Sequence, residues 1–268
     1  MNVDSFSILP LKQLPFLSYK SALAIGIDEV LEGLTAIEMT AHTFKFYTSV
    51  SVISSSKIEG EQMEVDSYVQ HKMQDIEYLP ELTEKPNDLF NAYVFAQEHT
   101  LTIENFLEAH KLITAHLLPE KQRGACRLNE MLVLEHNTGR IQYEAAAAAV
   151  VKIEFEKLWH DINLLVSGEL TTTEMFYYAS LIHLVFVNIH PFNDGNGRAG
   201  RLLEKWFVAE QMGRKAWMIP SEKFYYEHVN EYYRNLAVQG MFYDQLDYTK
   251  AMPFIMMLPN AMDRNSKT

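Results

Sequence analysis

Disulfides, a basic face and a membrane-length apolar run are all missing from this 268-residue chain. Its one cysteine, Cys126, excludes an intramolecular disulfide framework and fits a reducing compartment. Cations are scarce, 23 Lys and Arg against 35 Asp and Glu, giving a net charge of -12 and a pI near 5.3. With so little to offset phosphate repulsion, a general nucleic-acid or anionic-membrane surface is not expected. The most apolar stretch, Ala179 to Ile189, is about half the length of a membrane span and contains His183. It reads as a buried central helix, with His183 a satisfied core group. Met1 to Ser18 has polar interruptions and two prolines where a secretion signal needs an apolar run, so the expected location is cytoplasmic. A Gly-x-x-x-x-Gly-Lys-Ser/Thr phosphate loop is absent, as are low-complexity linkers and strong repeats.

What is present is mostly helical spacing. Helices are expected over residues 19 to 50, continuing to Ile58 with Gly60 near the stop, and over Val65 to Tyr78. Pro80 and Pro86 mark a connection, followed by helices over Asn87 to His99, Thr102 to Leu118 and Glu144 to Val166. In the last of these the Ala145 to Ala149 block is assigned to helix propensity. Thr173 to Ile189, Arg198 to Met212 and Glu222 to Val238 complete the set. Between Arg127 and Tyr143 the pattern changes: an apolar run Glu130 to Glu135, a turn His136 to Gly139 and a return Arg140 to Tyr143 predict a short hairpin. The fold class is all-α with one small β-hairpin.

Twelve residues, His190 to Arg201, carry the densest chemistry. His190 precedes Pro191, so the helix before it should end there. Asp194-Gly195-Asn196-Gly197 supplies a tight turn, and the next helix directs its N-terminal N–H groups and positive dipole end back at that turn, where an anion is favoured. Arg198 and Arg201 share one helix face and can grip two phosphate groups. Asp194, the only carboxylate between His190 and Arg201, can hold Mg²⁺ together with substrate phosphates. A calcium loop opening at Asp194 fails because its twelfth position is Lys205 rather than Glu.

The stretch resembles the Fic-domain signature His-x-Phe-x-Asp/Glu-Gly-Asn-Gly-Arg-x-x-Arg at every specified position. The resemblance implies a protein adenylyltransferase, in which a histidine deprotonates a hydroxyl of a target protein that attacks the α-phosphate of ATP. Carried over, His190 is the general base, Phe192 an apolar anchor and Asp194 the Mg²⁺ ligand. Gly195, Asn196 and Gly197 line the anion hole, while Arg198 and Arg201 hold the β- and γ-phosphates. The implied cofactor is Mg²⁺, with ATP as substrate. The implied partner is a hydroxyl-bearing protein, with self-modification and a homo-oligomer left open.

A second segment, Ser55-Ser-Lys-Ile-Glu59-Gly60, resembles the family's inhibitory pattern Ser/Thr-x-x-x-Glu-Gly/Asn. It implies that Glu59, with Ser55, occupies Arg201 and excludes the γ-phosphate. Many relatives place Asn after Glu-Gly, whereas this chain has Glu61. The hairpin resembles the flap that clamps a target backbone by strand addition. Arg123-Gly-Ala-Cys-Arg127 resembles the run common before that flap and is given no catalytic role. Phe224 to His228 with Tyr232 and Tyr233 form an aromatic cluster read as core; the resemblance adds Tyr232 as a contact to adenine. The expected division is 1–100, an N-terminal helical region with the inhibitory motif; 101–240, the catalytic core; and 241–268, a C-terminal extension, in one compact unit. The remaining length is too short for the winged-helix domain that many relatives carry, so direct nucleic-acid binding is not expected. Transfer of UMP, phosphocholine or phosphate, or a silent nucleotide-sensing module, are the competing readings.

Overall fold

A computed structural model describes residues 3–23, 26–28, 31, 38, 40–134 and 141–262. At its centre lies α7 (Thr172–Ile189), which is buried on nearly every side because its apolar residues do not confine themselves to one stripe. A capping box starts it: Thr171 accepts from the Glu174 N–H while Glu174 accepts from the Thr171 N–H. Packed along α7 is α8 (Asn196–Met212), and the loop between them carries the signature residues.

Around this pair stand α1 (Phe16–Ala22), α2 (Ala41–Ile58), α3 (Val65–Gln74), α4 (Pro80–Glu98), α5 (Ile103–Ile113), α6 (Val151–Val166), α9 (Ser221–Glu227) and α10 (Val229–Ala237). Two one-turn helices, α11 (Met252–Ile255) and α12 (Met257–Asn260), close against α7. One buried apolar cluster extends from Leu9 to Met262. Buried Asp161 on α6 accepts the N–H groups of Ser7, Ile8 and Leu9 at 2.6–2.9 Å, fastening the N-terminal segment to this cluster. Among the described residues no helix is long and apolar enough to cross a membrane.

Several sequence expectations need correction. The helix expected from residue 19 to Ile58 is not continuous: α1 ends at Ala22 with extended backbone at Leu23, and α2 begins afresh at Ala41 with Thr40 capping the Thr43 N–H. Pro80 and Pro86 do not mark a connection. Pro80 opens α4, where its missing N–H costs nothing, and Pro86 is carried inside the helix with its ring buried. The Ala145 to Ala149 block lies before α6 rather than within it. Ala145 donates to the Met131 carbonyl and both Ala145 and Ala146 are buried, so tertiary pairing overrides their helix propensity. The last expected helix is interrupted at His228, between α9 and α10.

The hairpin is found as β1 (Leu132–Leu134) antiparallel to β2 (Ile141–Glu144), with Leu132 opposite Glu144 and an irregularity between Val133 and Leu134. Its expected turn, His136 to Gly139, lies outside the described residues.

Candidate active site

The loop between α7 and α8 is tied at both ends. His190 terminates α7 in the left-handed conformation (φ 53°, ψ 60°), uncommon outside glycine, which turns the chain out of the helix toward Pro191. Asn196 then spans the loop from inside: its Oδ1 accepts the Phe192 N–H at 2.9 Å and its Nδ2 donates to the Phe192 carbonyl at 2.8 Å. Phe192 is fully buried and stacks on His110 of α5 at 3.7 Å between centroids, so the loop has an apolar anchor.

Two residues given no role from the sequence hold this loop against its surroundings. His110 accepts the Gly124 N–H on Nδ1 and therefore donates from Nε2 to the Asp194 carbonyl, 3.0 Å away. Arg127, fully buried and without a carboxylate partner among the described residues, donates to the carbonyls of His190 (2.8 Å), Ile189 (3.4 Å), Asn129 (2.6 Å) and Ala146. Its own N–H donates to the Pro191 carbonyl. The guanidinium thus joins the histidine to the segments entering and leaving the hairpin. Tyr143 on β2 adds a bond to the Asn188 carbonyl at 2.8 Å. Leu132, Leu134 and Ile141 are left about half exposed on that hairpin.

At its start α8 has no side-chain cap, since the capping position is Gly195. Its first N–H groups and the positive dipole end are left without a cap from the turn itself. Glycine at 197 makes room for Glu59 there: a β-carbon would stand 2.3 Å from its Oε1. An anion of the chain itself therefore rests over the first turn of α8. Arg201 is committed to α2, donating from Nη2 to Glu59 Oε1 at 2.6 Å and to the Ser55 carbonyl at 3.1 Å, and from Nε to the Ser55 hydroxyl at 2.8 Å. Ser55 and Glu59 can share one guanidinium because residues four apart lie on the same helix face.

The turn that delivers Glu59 is a Schellman closure. The Glu61 N–H bonds the Ser56 carbonyl, the Gly60 N–H bonds the Lys57 carbonyl, and Gly60 supplies the left-handed φ of 88°. Burial works to raise the Glu59 carboxyl, but Arg201 and Arg198 together hold it below the usual carboxylate range.

Comparison with family profiles matches residues 100–208 to the Fic/DOC family. A protein from Drosophila willistoni named protein adenylyltransferase Fic is 31% identical over 208 residues, 75% of this chain and 38% of that one. Its namesake from Drosophila erecta is 35% identical over 119 residues, 43% of this chain and 22% of the relative. The fold agrees with a Fic family protein from Desulfovibrio desulfuricans at a TM-score of 0.71 and 21% identity, covering 96% of this chain and 74% of that structure. The chain is a Fic-domain protein.

Within this Fic domain the residues singled out in sequence converge: His190, Asp194 to Gly197, Arg198 and Arg201 surround one loop and one helix start, and Ser55 and Glu59 reach it from α2. Tyr232 is placed differently from an open contact to a base. It is 1% exposed, and its hydroxyl accepts from Arg201 Nη1 (3.3 Å) and meets His183 Nε2 (3.1 Å). The exposed Asp194 carboxylate gives one oxygen to the Gly195 N–H at 2.6 Å, leaving the other for a cation. Among the described residues no group of three or more His, Cys, Asp or Glu could hold a metal. A single carboxylate suits Mg²⁺, which takes its remaining ligands from phosphates and water.

Of the site residues, His110 is absent from the sequence reading, and Arg127 and Glu61 enter it without a role at the site. His110 and Arg127 act through main-chain carbonyls, which leave no pattern in side chains. Glu61 did leave a signal, as the one departure from the common form of the inhibitory segment.

Proposed function

We propose that this Fic domain is a protein adenylyltransferase held back by its own α2. The observation that carries the reading is the Glu59 carboxylate lying over the first turn of α8 and on the Arg201 fork, an anion of the chain where the nucleotide's phosphates are expected. In the reaction, His190 takes the proton of a target hydroxyl through Nε2, its Nδ1 being turned to the Val187 carbonyl at 3.2 Å. The hydroxyl oxygen forms a bond to the α-phosphorus of ATP while the bond to the bridging oxygen of pyrophosphate breaks. Arg198, Arg201 and the α8 N-terminus counter the charge gathering on pyrophosphate. Asp194 would hold Mg²⁺, which supplies charge neutralisation on the phosphates when bound. The hairpin, fastened to His190 through Arg127, supports strand addition by the target.

Removing the Glu59–Arg201 pair should raise transfer by about ten- to a hundredfold. Wild type, Glu59→Gly and Glu59→Gly/His190→Ala are to be incubated with labelled ATP and a cell extract, and modified proteins weighed by mass spectrometry. An AMP increment that is strong in Glu59→Gly and lost with His190→Ala supports the proposal. An adduct of any other mass, or undiminished transfer without His190, rejects it.

A further inference from the structure

The second phosphate fork is occupied as well. Arg198 Nη2 donates to Glu61 Oε1 at 3.0 Å, and both side chains are nearly buried, 4% and 12% exposed. Arg198 Nε is buried without a hydrogen-bond partner among the described residues. A guanidinium with one corner on a carboxylate and the adjacent corner unsatisfied is a bidentate oxyanion site only half filled. Phosphate could satisfy both donors, whereas Glu61 as it stands satisfies one.

Glu59 and Glu61 arrive together because the Schellman closure at the end of α2 fixes them as its capping residue and its second residue beyond the helix. One turn therefore reaches both arginines. They differ in what happens on departure. The same Glu61 oxygen lies 3.1 Å from Lys85 Nζ on α4, so a phosphate taking Arg198 leaves Glu61 paired. Its displacement avoids the cost of stranding a nearly buried charge.

We propose that Glu61 is a second competitor for the nucleotide's phosphates, acting on Arg198 as Glu59 acts on Arg201, and that it sets the affinity of the site for a polyphosphate. The inference rests on the reading above that the two arginines face phosphates. It makes the departure from Asn at this position a functional one: relieving Glu59 alone frees only one fork.

The test is calorimetric titration of a non-hydrolysable ATP analogue with Mg²⁺, and separately of AMP, into wild type, Glu59→Gly, Glu61→Asn and the double variant. Glu64→Gln serves as the control, since it removes a charge from the same segment at an exposed residue paired with Lys57. Glu61→Asn should tighten the analogue about three- to tenfold, in both the wild-type and Glu59→Gly backgrounds, with AMP and the Glu64→Gln control unmoved. Unchanged analogue affinity in both backgrounds overturns the proposal. So does an equal gain for AMP or in Glu64→Gln, which would mark a general effect of net charge. Because binding of the analogue requires no transfer, a wrong assignment of the transferred group would appear in the labelling experiment and leave this result standing.

Discussion

Burial draws the His190 imidazole down to about 4, with the nearby Arg127 charge acting in the same direction, while the Val187 carbonyl, Glu59 and Asp194 act against it. A base must be neutral to accept a proton, and a histidine is neutral above its pKa, so lowering the pKa extends the active range toward acid. With His190 as the base, as proposed, the acid limb of kcat/KM for the Glu59→Gly variant is expected well below the ordinary histidine value, with activity level down to about pH 5. Deleting Glu59 removes an upward pull and does not reverse the sign. Replacing Arg127 with Gln removes a downward pull and should move the limb to higher pH, whereas Arg127→Lys should restore it. A pH profile falling near 6.5 in both Glu59→Gly and its Arg127→Gln derivative would contradict this account of the base.

At the scale of elements, the start of α8 shows a conflict between propensity and use. Alanine at Gly197 would favour the helix by about 1 kcal/mol, yet its β-carbon would occupy the space now taken by a Glu59 oxygen. If that oxygen stands where phosphate belongs, Gly197→Ala closes the cradle to both. In a Glu59→Gly background it should weaken binding of the ATP analogue about ten- to a hundredfold without lowering the melting temperature. Analogue affinity equal to that of Glu59→Gly alone would show that phosphate does not approach the first turn of α8. The hairpin shows a different division. Its apolar run, turn and return announced two strands, but its attachment to the histidine runs through Arg127 and the Tyr143–Asn188 bond, which only the packed fold brings about.

Across the whole molecule, the wall behind the site is built on buried charge. Lys205 of α8 donates to Ser51 of α2 and the Ile219 carbonyl, both at 2.8 Å, and pairs with Glu222 of α9, which also accepts from Tyr93 of α4 at 2.6 Å. Four helices meet on this pair, and it holds α2 on α8 along the same face that carries Ser55 and Glu59, two turns before Glu59. Beside it His183 and Tyr225 satisfy Glu204 at 2.9 and 2.8 Å. Lys205→Met leaves Glu222 buried and uncompensated, at a cost of about 3–5 kcal/mol. Denaturant unfolding should register that loss, and Glu222→Gln combined with Lys205→Met should recover part of it. A single variant as stable as wild type would mean that the pair carries no structural weight.

By itself the sequence determined the helical class, the hairpin, the turn between His190 and the next helix and the helix stop near Gly60, because each is local: proline and glycine placement, three- and four-residue spacing and β-permissive runs act within a few residues of chain. It misjudged the Ala145 to Ala149 block and Pro86 for the complementary reason, since buried contacts from elsewhere outweighed local preference there, and Pro80 because proline suits the first turn of a helix as well as a connection. Tertiary structure alone decided what reaches the loop from a distance. Arg127 and His110 recognise backbone carbonyls, Tyr232 is turned behind Arg201, and Glu61 finds Arg198 across 137 residues of sequence. Such pairings depend on where helices cross, and a helix crossing is set by the packing of whole faces rather than by any motif.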